Sequence, residues 1–342
     1  MRILKRIDVK HEEAVQIVVT GSRGKSSVVR FLFAALSACG LRTWARITGV
    51  IPRELSPSGE RAILRSSGGH VEEMRWWLSS IPSEAEAIVM ENSAVAPDLQ
   101  RLAAQWMGKD ALLVLTNVRP DHQDAWGAGE IGAVRALSGG IPKGATVFIP
   151  ENTARSLSLL TALEEKECHV HIAPPVFSSS SPEWVNENLS IVLAILSCLG
   201  LNEKKGEEAV RSLPPDMADF KVLSFDGSQL AVAFSANDIE TTIRLFNTLQ
   251  WSMEGTTVLF NNRRDRPERL KAFLPWLQKK QWKRSFLMGD RPFKSHLLYR
   301  EVLSVDALKR LIKEEGRVFG CGNVAGVPLQ LLIEGKQGED HA

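Results

Sequence analysis

Lys25 and Ser26 stand directly behind two glycines, in the run Thr20-Gly21-Ser22-Arg23-Gly24-Lys25-Ser26-Ser27. These residue types in this order suit a phosphate chain. Loop amides and a helix N-terminus can hold phosphate oxygens, Lys25 can reach the outer phosphates, and the Ser26 hydroxyl can ligate Mg²⁺. The usual phosphate-loop spacing puts its first glycine five residues before the Gly-Lys pair. That position here is Val19, so the loop is shorter than most. A plain strand–helix turn would not explain a lysine facing the positive end of a helix. ATP is therefore the expected ligand.

Other groups lie where strands should end. Glu91 follows the apolar run 85–90, and a carboxylate at the carboxyl end of a parallel strand sits where α/β sheets bind ligands. It is a candidate to share a Mg²⁺ with Ser26. The run 111–116 releases Asn117, Asp121, His122 and Asp124 into one loop. A histidine beside two carboxylates on a phosphate-loop sheet edge is a candidate for metal or phosphate. No Ser-His-Asp or Cys-His set emerges.

The elements that must position these groups follow from the hydrophobic pattern. Residues 14–20 are apolar and β-branched, the pattern of a buried parallel strand. A helix then carries Val28, Val29, Leu32, Phe33 and Leu36 inward and stops at Gly40. Strands are expected at 43–50, 85–90, 111–116, 145–149 and 168–173, with helices at 71–81, 97–107, 182–201 and 207–212. The Pro, Ser, Gly and Arg-rich stretch 52–69 reads as a loop over the nucleotide face, and 178–181 as another loop. Trp76 and Trp77 read as helix packing. Pro214-Pro215 marks a junction.

Beyond it, strands 222–225 and 229–234 joined by Asp226-Gly227 make a hairpin. Helices at 238–249, 266–279 and 306–314 then alternate with strands at 256–260, 284–288 and 317–320. That pattern builds a second doubly wound sheet. The turn at 320–323 leads into a final helix. Its Gly-x-Gly lacks a third glycine and a following acidic strand end, so an NAD site is disfavoured. The last residues, from 335, read as a disordered tail.

A chain of 342 residues, 44% hydrophobic and 24% charged, fits two ordinary globular domains. The near balance of 42 basic and 40 acidic residues argues against nucleic acid or an anionic membrane as partner. Cys39, Cys168, Cys198 and Cys321 are far apart in apolar contexts and read as reduced core residues of a cytoplasmic protein. No signal peptide is visible, and the longest apolar run, 189–201, is too short to span a bilayer.

Several ordered motifs together resemble the Mur ligase superfamily. Within it they are most similar to the ligase subunit of poly-γ-glutamate synthase, the capsule-biosynthesis branch. These are Gly21–Arg30, Glu91–Gln100, Asn117–Gly127, Ala236-Asn237-Asp238 with Thr241-Thr242, Asn261–Arg266 and Gly320–Gly326. The resemblance implies a phosphate-loop ATPase domain with a parallel sheet (1–214), a smaller Rossmann-like α/β domain (215–335) and a disordered tail (336–342). It implies an ADP-forming, ATP-dependent carboxylate–amine ligase that works through an acyl phosphate, extending a γ-linked glutamate chain.

It also implies roles. Gly21, Ser22, Arg23, Gly24, Lys25, Ser26 and Ser27 would cradle ATP, with Asn117 beside them and Asn188 on the adenine. Ser26, Glu91 and His122 would serve metal, His122 facing the γ-phosphate or a second ion. Arg263, Asp265 and Arg266 would close over the nucleotide. The catalytic set is then Lys25, Glu91, His122, Arg263 and Arg266.

Three departures stand out. The helix after the Asp-His motif, 129–140, has no lysine to carbamylate, and Ser138 falls near the expected place. An apolar anchoring segment is missing, so contact with the inner face of the membrane would come through small membrane subunits. A nucleotide-sugar domain is missing too, which argues against a UDP-linked substrate. Glutamate or a glutamate oligomer is the expected substrate, with room for a homo-oligomer. The alternatives are a folylpolyglutamate- or cyanophycin-type ligase, a phosphate-loop kinase or GTPase-like switch, and a non-catalytic ATP-binding scaffold or ATPase subunit of a polymer exporter. The absence of an Asp-x-x-Gly switch and an Asn-Lys-x-Asp guanine reader counts against the switch.

Overall fold

The computed structural model describes residues 13–49, 51–63, 70–92, 94–108, 110–120, 123–178, 183–216, 218–236, 238–293 and 295–339. The chain divides into two compact units, Met1–Leu213 and Pro214–Ala342.

The strands of the first unit are β1 (Val15–Thr20), β2 (Thr43–Ile47), β3 (Arg53–Ser56), β4 (Gly59–Ala62), β5 (Ala87–Glu91), β6 (Leu112–Leu115), β7 (Thr146–Pro150) and β8 (His169–Ala173). Its helices are α1 (Lys25–Ala38), α2 (Glu72–Ser80), α3 (Pro97–Ala104), α4 (Gln123–Trp126), α5 (Gly129–Gly139), α6 (Glu151–Ala154), α7 (Leu157–Glu164), α8 (Glu183–Cys198) and α9 (Glu203–Arg211). The strands form one sheet in the order β4-β3-β2-β5-β1-β6-β7-β8; β2, β5, β1, β6, β7 and β8 run parallel, and β3 and β4 join antiparallel at one edge.

Strand side chains alternate between the faces. Ile17, Val19, Val89 and Val114 pack against Val28, Leu32 and Leu36 of α1 and Leu189 and Ile195 of α8. Val18, Ile88, Met90 and Leu113 face Trp77 of α2, Ala103 of α3 and Leu137 of α5. Each fully buried aliphatic side chain contributes roughly 1.5–3 kcal/mol. Both faces are covered, so the polar strand ends, where the turns break the pattern, gather at one edge.

The second unit contains β9 (Lys221–Phe225), β10 (Ser228–Val232), α10 (Ile239–Thr248), β11 (Thr257–Asn262), α11 (Pro267–Leu277), β12 (Arg284–Gly289), β13 (Leu298–Tyr299), α12 (Val305–Glu315), β14 (Arg317–Gly322) and α13 (Val327–Glu339). Its sheet order is β13-β12-β11-β14-β10-β9, parallel except for the β9–β10 hairpin. The core is aromatic. Phe246 packs edge-on to Trp276, Trp282 and Phe319. The α/β architecture with parallel sheets is as the sequence predicts.

The structure corrects four details. Residues 53–62, expected within a loop, form the β3–β4 hairpin, turning at Pro57-Ser58 before Gly59. The expectation failed because the hairpin buries a charge. Arg53 is 2% exposed and pairs with Glu60 across the ladder at 2.8 Å. Of the two neighbouring tryptophans only Trp77 is buried, its Nε1 donating to Glu54 at 2.7 Å, while Trp76 is 64% exposed. Of the cysteines only Cys321 is core. Cys198 ends α8 at the surface, and Cys39 and Cys168 are half-buried. Finally, α13 runs through Glu339, into the expected tail, despite Gly335 and Gly338. Residues 64–69 and 179–182 of the two expected loops lie outside the described residues.

Candidate active site

The turn after β1 needs its glycines. Gly21 has φ +130°, and a Cβ there would fall 2.1 Å from Thr116 Oγ1. Gly24 has φ +84° at the N-cap of α1 and brings no side-chain cap to this helix start, the kind of end that suits an anion.

The turn is braced from the neighbouring strand end. Ser22 N donates to Asn117 O at 3.0 Å, and Ser22 Oγ donates to Arg119 O at 2.6 Å. The Asn117 side chain pairs with the Arg23 backbone in both directions: Arg23 N donates to Oδ1 at 3.3 Å, and Nδ2 donates to Arg23 O at 2.9 Å. Thr116 Oγ1 donates to Arg23 O at 2.6 Å. Lys25 folds back over the turn, Nζ donating to Gly21 O at 2.6 Å and Ser22 O at 3.2 Å. Its ammonium is thus held by loop carbonyls three and four residues back in the chain.

Glu91 is 1% exposed at the end of β5. Its Oε2 accepts from Thr48 N at 2.9 Å, Gly49 N at 3.3 Å and Ser26 Oγ at 3.1 Å. Adjacent β2 and β5 bring the Thr48-Gly49 turn to this carboxylate. Gly49 is needed there, since a Cβ would sit 2.5 Å from Ser26 Oγ. A hard divalent cation takes oxygen ligands. The Ser26 hydroxyl and the Glu91 carboxylate, already in contact beside a side-chain-free Gly49, fit that donor set. Among the described residues no group of three His, Cys, Asp or Glu side chains gathers as a metal cluster. Asp121 and His122 lie outside the described residues, as does the side chain of Asp124.

Asn188 of α8 is 7% exposed, and its Oδ1 would lie 3.3 Å from a Cβ at Gly24, so it borders the glycine turn. Ser27, on the first turn of α1, is half-buried. Ser138 is buried in the last turn of α5. Its carbonyl and that of Ile141 each accept from Lys166 Nζ at 2.6 Å. Burial pulls the Lys166 ammonium below its ordinary pKa. This lysine caps α5 near the start of β8, as basic groups do at helix C-termini.

In the second unit, Arg263, Arg266 and Arg269 recur every third residue around the start of α11. Arg263 grips Asp265 with both donors, at 2.9 and 2.6 Å. At Asp265 burial raises the pKa, but the Arg263 hydrogen bond and charge outweigh it and hold the carboxyl low. Burial, then the Arg263 charge, lowers Arg266. Burial, then Arg266 and Arg263, brings Arg269 down to about 10. Asn237 is outside the described residues; Asp238 caps α10, accepting from Thr241 N at 2.7 Å.

A family model, the poly-gamma-glutamate synthase CapB C-terminal domain, matches residues 221–337. The whole chain is similar to PGA synthase CapB of Bacillus subtilis (strain 168), 23% identical over 93% of this chain and 89% of that protein. The capsule biosynthesis protein CapB of Bacillus anthracis is 24% identical over 96% of this chain and 78% of its own length. Among solved structures, a bifunctional folylpolyglutamate synthase/dihydrofolate synthase with Mn, AMPPNP and L-glutamate bound superposes with a TM-score of 0.60. It is 14% identical and covers 95% of this chain and 91% of its own. MurF from Acinetobacter baumannii superposes at 0.56, with 12% identity over 96% of this chain and 77% of its own. The chain therefore shares the fold of these ligases.

Three contributions escaped sequence reasoning. Thr48 and Gly49 hold Glu91 through backbone N–H groups, which carry no residue signature. Gln100 accepts from Thr20 Oγ1 at 3.2 Å, and its carbonyl accepts from Asn92 Nδ2 at 3.2 Å. Arg269 was legible only as a further step in the three-residue arginine spacing.

Proposed function

We propose that this chain is an ATP-dependent carboxylate–amine ligase that extends a glutamate chain, releasing ADP and phosphate. The observation that carries the reading is the contact of Ser26 Oγ with the buried Glu91 carboxylate at the head of a glycine-turn helix. The similarity to CapB over 93% of the chain supplies the substrate class, glutamate or its oligomer.

A carboxylate is a poor acyl donor because its leaving group would be oxide. A γ-carboxylate oxygen of the substrate attacks the γ-phosphorus of ATP, the bond to the β–γ bridging oxygen breaks, and ADP departs. The amine of the next glutamate then attacks the acyl carbon. Phosphate leaves with one former carboxylate oxygen, and the amine gives up a proton.

Such transfers need positioned phosphates and charge compensation more than a nucleophile of the protein's own. The turn 21–24 and the N-terminal turn of α1 would hold the phosphates. Lys25, leaving the Gly21 and Ser22 carbonyls, follows the charge on the β–γ bridge. Ser26 and Glu91 would hold a divalent cation, Mg²⁺ in the reading proposed here, which neutralises phosphate charge when bound. Asn188 lies beside the turn for the base. Arg263, held by Asp265, and Arg266 would be the cationic groups of the second unit.

Among the described residues no helix is long and apolar enough to cross a membrane. The synthase reading places the chain in the cytoplasm, at the membrane only through small partner subunits.

The test supplies glutamate labelled with ¹⁸O in its γ-carboxylate, with ATP, Mg²⁺ and acceptor. One ¹⁸O in the released phosphate, with ADP, is expected. AMP carrying the label would mean adenylation, and unlabelled phosphate during amide formation would overturn the acyl phosphate. Running folate substrates in parallel separates the folylpolyglutamate-type alternative.

A further inference from the structure

The ends of β11 and β14 are laced together by amides. Asn261 and Asn323 are each 2% exposed. Asn261 Nδ2 donates to Asn323 O at 2.6 Å and Ala325 O at 2.9 Å. In return, Asn323 N and Nδ2 donate to Asn261 O at 3.1 and 2.9 Å. Gly322 permits this approach: its φ is +99°, and a Cβ there would lie 2.7 Å from Asn261 O. That leaves Asn323 Oδ1 pointing at α11, where Arg269 Nη1 donates to it at 2.9 Å and to Gly322 O at 3.1 Å. One guanidinium thus ties the first turns of α11 to a rigid knot between two strands. Arg266 is one helical turn back from Arg269, and Arg263 lies three residues earlier, its fork closed on Asp265.

Guanidiniums this close repel. Arg263 and Arg266 both act to deprotonate Arg269, although Asp238 and Asp265 oppose them. Asp265 takes up only the Arg263 fork, and Arg266 at the N-cap stands next to it in the chain. Guanidiniums set at a helix start suit an anion.

We propose that Arg269 is a positioning residue: by fastening the start of α11 to the Asn261–Asn323 knot, it presents Arg263 and Arg266 as a preformed site for a polyphosphate. This rests on the ligase reading for the identity of the anion as ATP, but the device itself is independent of it. Arg269 acts through Arg266 and does not touch the ligand.

The test is a double-mutant cycle on the full chain, with Arg269→Gln, Arg266→Ala and the pair, read as kcat for ADP formation. Alongside it, phenylglyoxal labelling of Arg266 is followed by mass spectrometry with and without inorganic triphosphate. If Arg269 works through Arg266, each single change lowers kcat roughly tenfold or more and the pair is no worse than the poorer single. Triphosphate then shields Arg266 in the unmodified protein but not in Arg269→Gln. Effects that multiply, or shielding that survives Arg269→Gln, overturn the proposal. Arg269→Lys keeps the charge but its shorter side chain does not carry a nitrogen to the place where Nη1 meets Gly322 O and Asn323 Oδ1, and it is expected to match Arg269→Gln; full activity in the lysine variant would also overturn it. Should Arg269→Gln not fold, Arg269→Lys carries the same cycle. If the unmodified protein forms no ADP with glutamate, the ligase reading fails, and the shielding experiment alone decides the role of Arg269.

Discussion

Each unit ends its central parallel strands in a polar cluster, and the two clusters handle charge differently. In the first, Glu91 is surrounded by neutral donors, two backbone N–H groups and a hydroxyl, while Lys25 rests on two carbonyls. In the second, three arginines crowd the beginning of α11, where the helix end is itself positive. The first cluster is matched before any ligand arrives. The second sets like charges against one another, Arg263 and Arg266 both acting on Arg269. A site can thus be preorganised by satisfying its groups or by crowding like charges, and the two designs respond differently to mutation, salt and pH.

The largest effect is expected at the matched site. Lys25→Ala should keep the fold, with Tm within a few degrees, and cut ADP formation by on the order of 10³-fold or more, because charge compensation at the β–γ bridge is lost. Turnover within a few-fold of the unmodified chain would show that the first cluster is structural, and the contrast would collapse.

Glu91→Gln keeps the shape and removes the charge. Activity should fall by about a hundredfold, with partial recovery in raised Mg²⁺ or Mn²⁺, and nucleotide binding without metal should change little. Equal loss of metal-free binding would mean that Glu91 orders the loop and holds no metal.

The arginine cluster should respond to salt. Arg266→Ala is expected to lower kcat roughly tenfold while raising stability by a few tenths of a kcal/mol at low ionic strength, since it relieves repulsion on Arg269. Urea unfolding at about 20 mM and 0.5 M salt checks this, because screening should erase the gain. A stability loss at low salt would mean that the crowded charges are already neutralised within the unit.

The smallest effect concerns Asp265, which is exposed. Its folded pKa is depressed, so the Arg263–Asp265 pair stabilises above the unfolded value of about 3.9 and is lost as pH falls through the folded pKa. Solvent screening limits it to about 0.5 kcal/mol. Asp265→Asn should therefore cost a few tenths of a kcal/mol in urea titrations at pH 7 and nothing near pH 2. An equal cost at both would make the contact a packing effect.

How far the molecule could be read from its chain depended on sequence distance. The β1–turn–α1 unit was legible because strand, glycines, Lys25-Ser26 and helix are contiguous, and each residue type follows from its own backbone requirement. Glu91 was visible as a carboxylate at a strand end. Its partners were not, since Thr48 and Gly49 meet it only because β2 lies next to β5. The β3–β4 hairpin was hidden because Arg53 and Glu60 look solvated until paired. Arg269 meets Gly322 and Asn323 more than fifty residues on.

The sequence by itself determined the alternation of strands and helices, the glycine turn that opens to an anion, and the chemical kinds of group at the strand ends. Those follow from local periodicity and from backbone angles that few residues other than glycine adopt. Tertiary structure alone decided which of those groups touch. It set Ser26 against Glu91, Asn117 against the Arg23 backbone and Arg269 against Asn323, because strand order and register place residues side by side in space regardless of their separation in the chain.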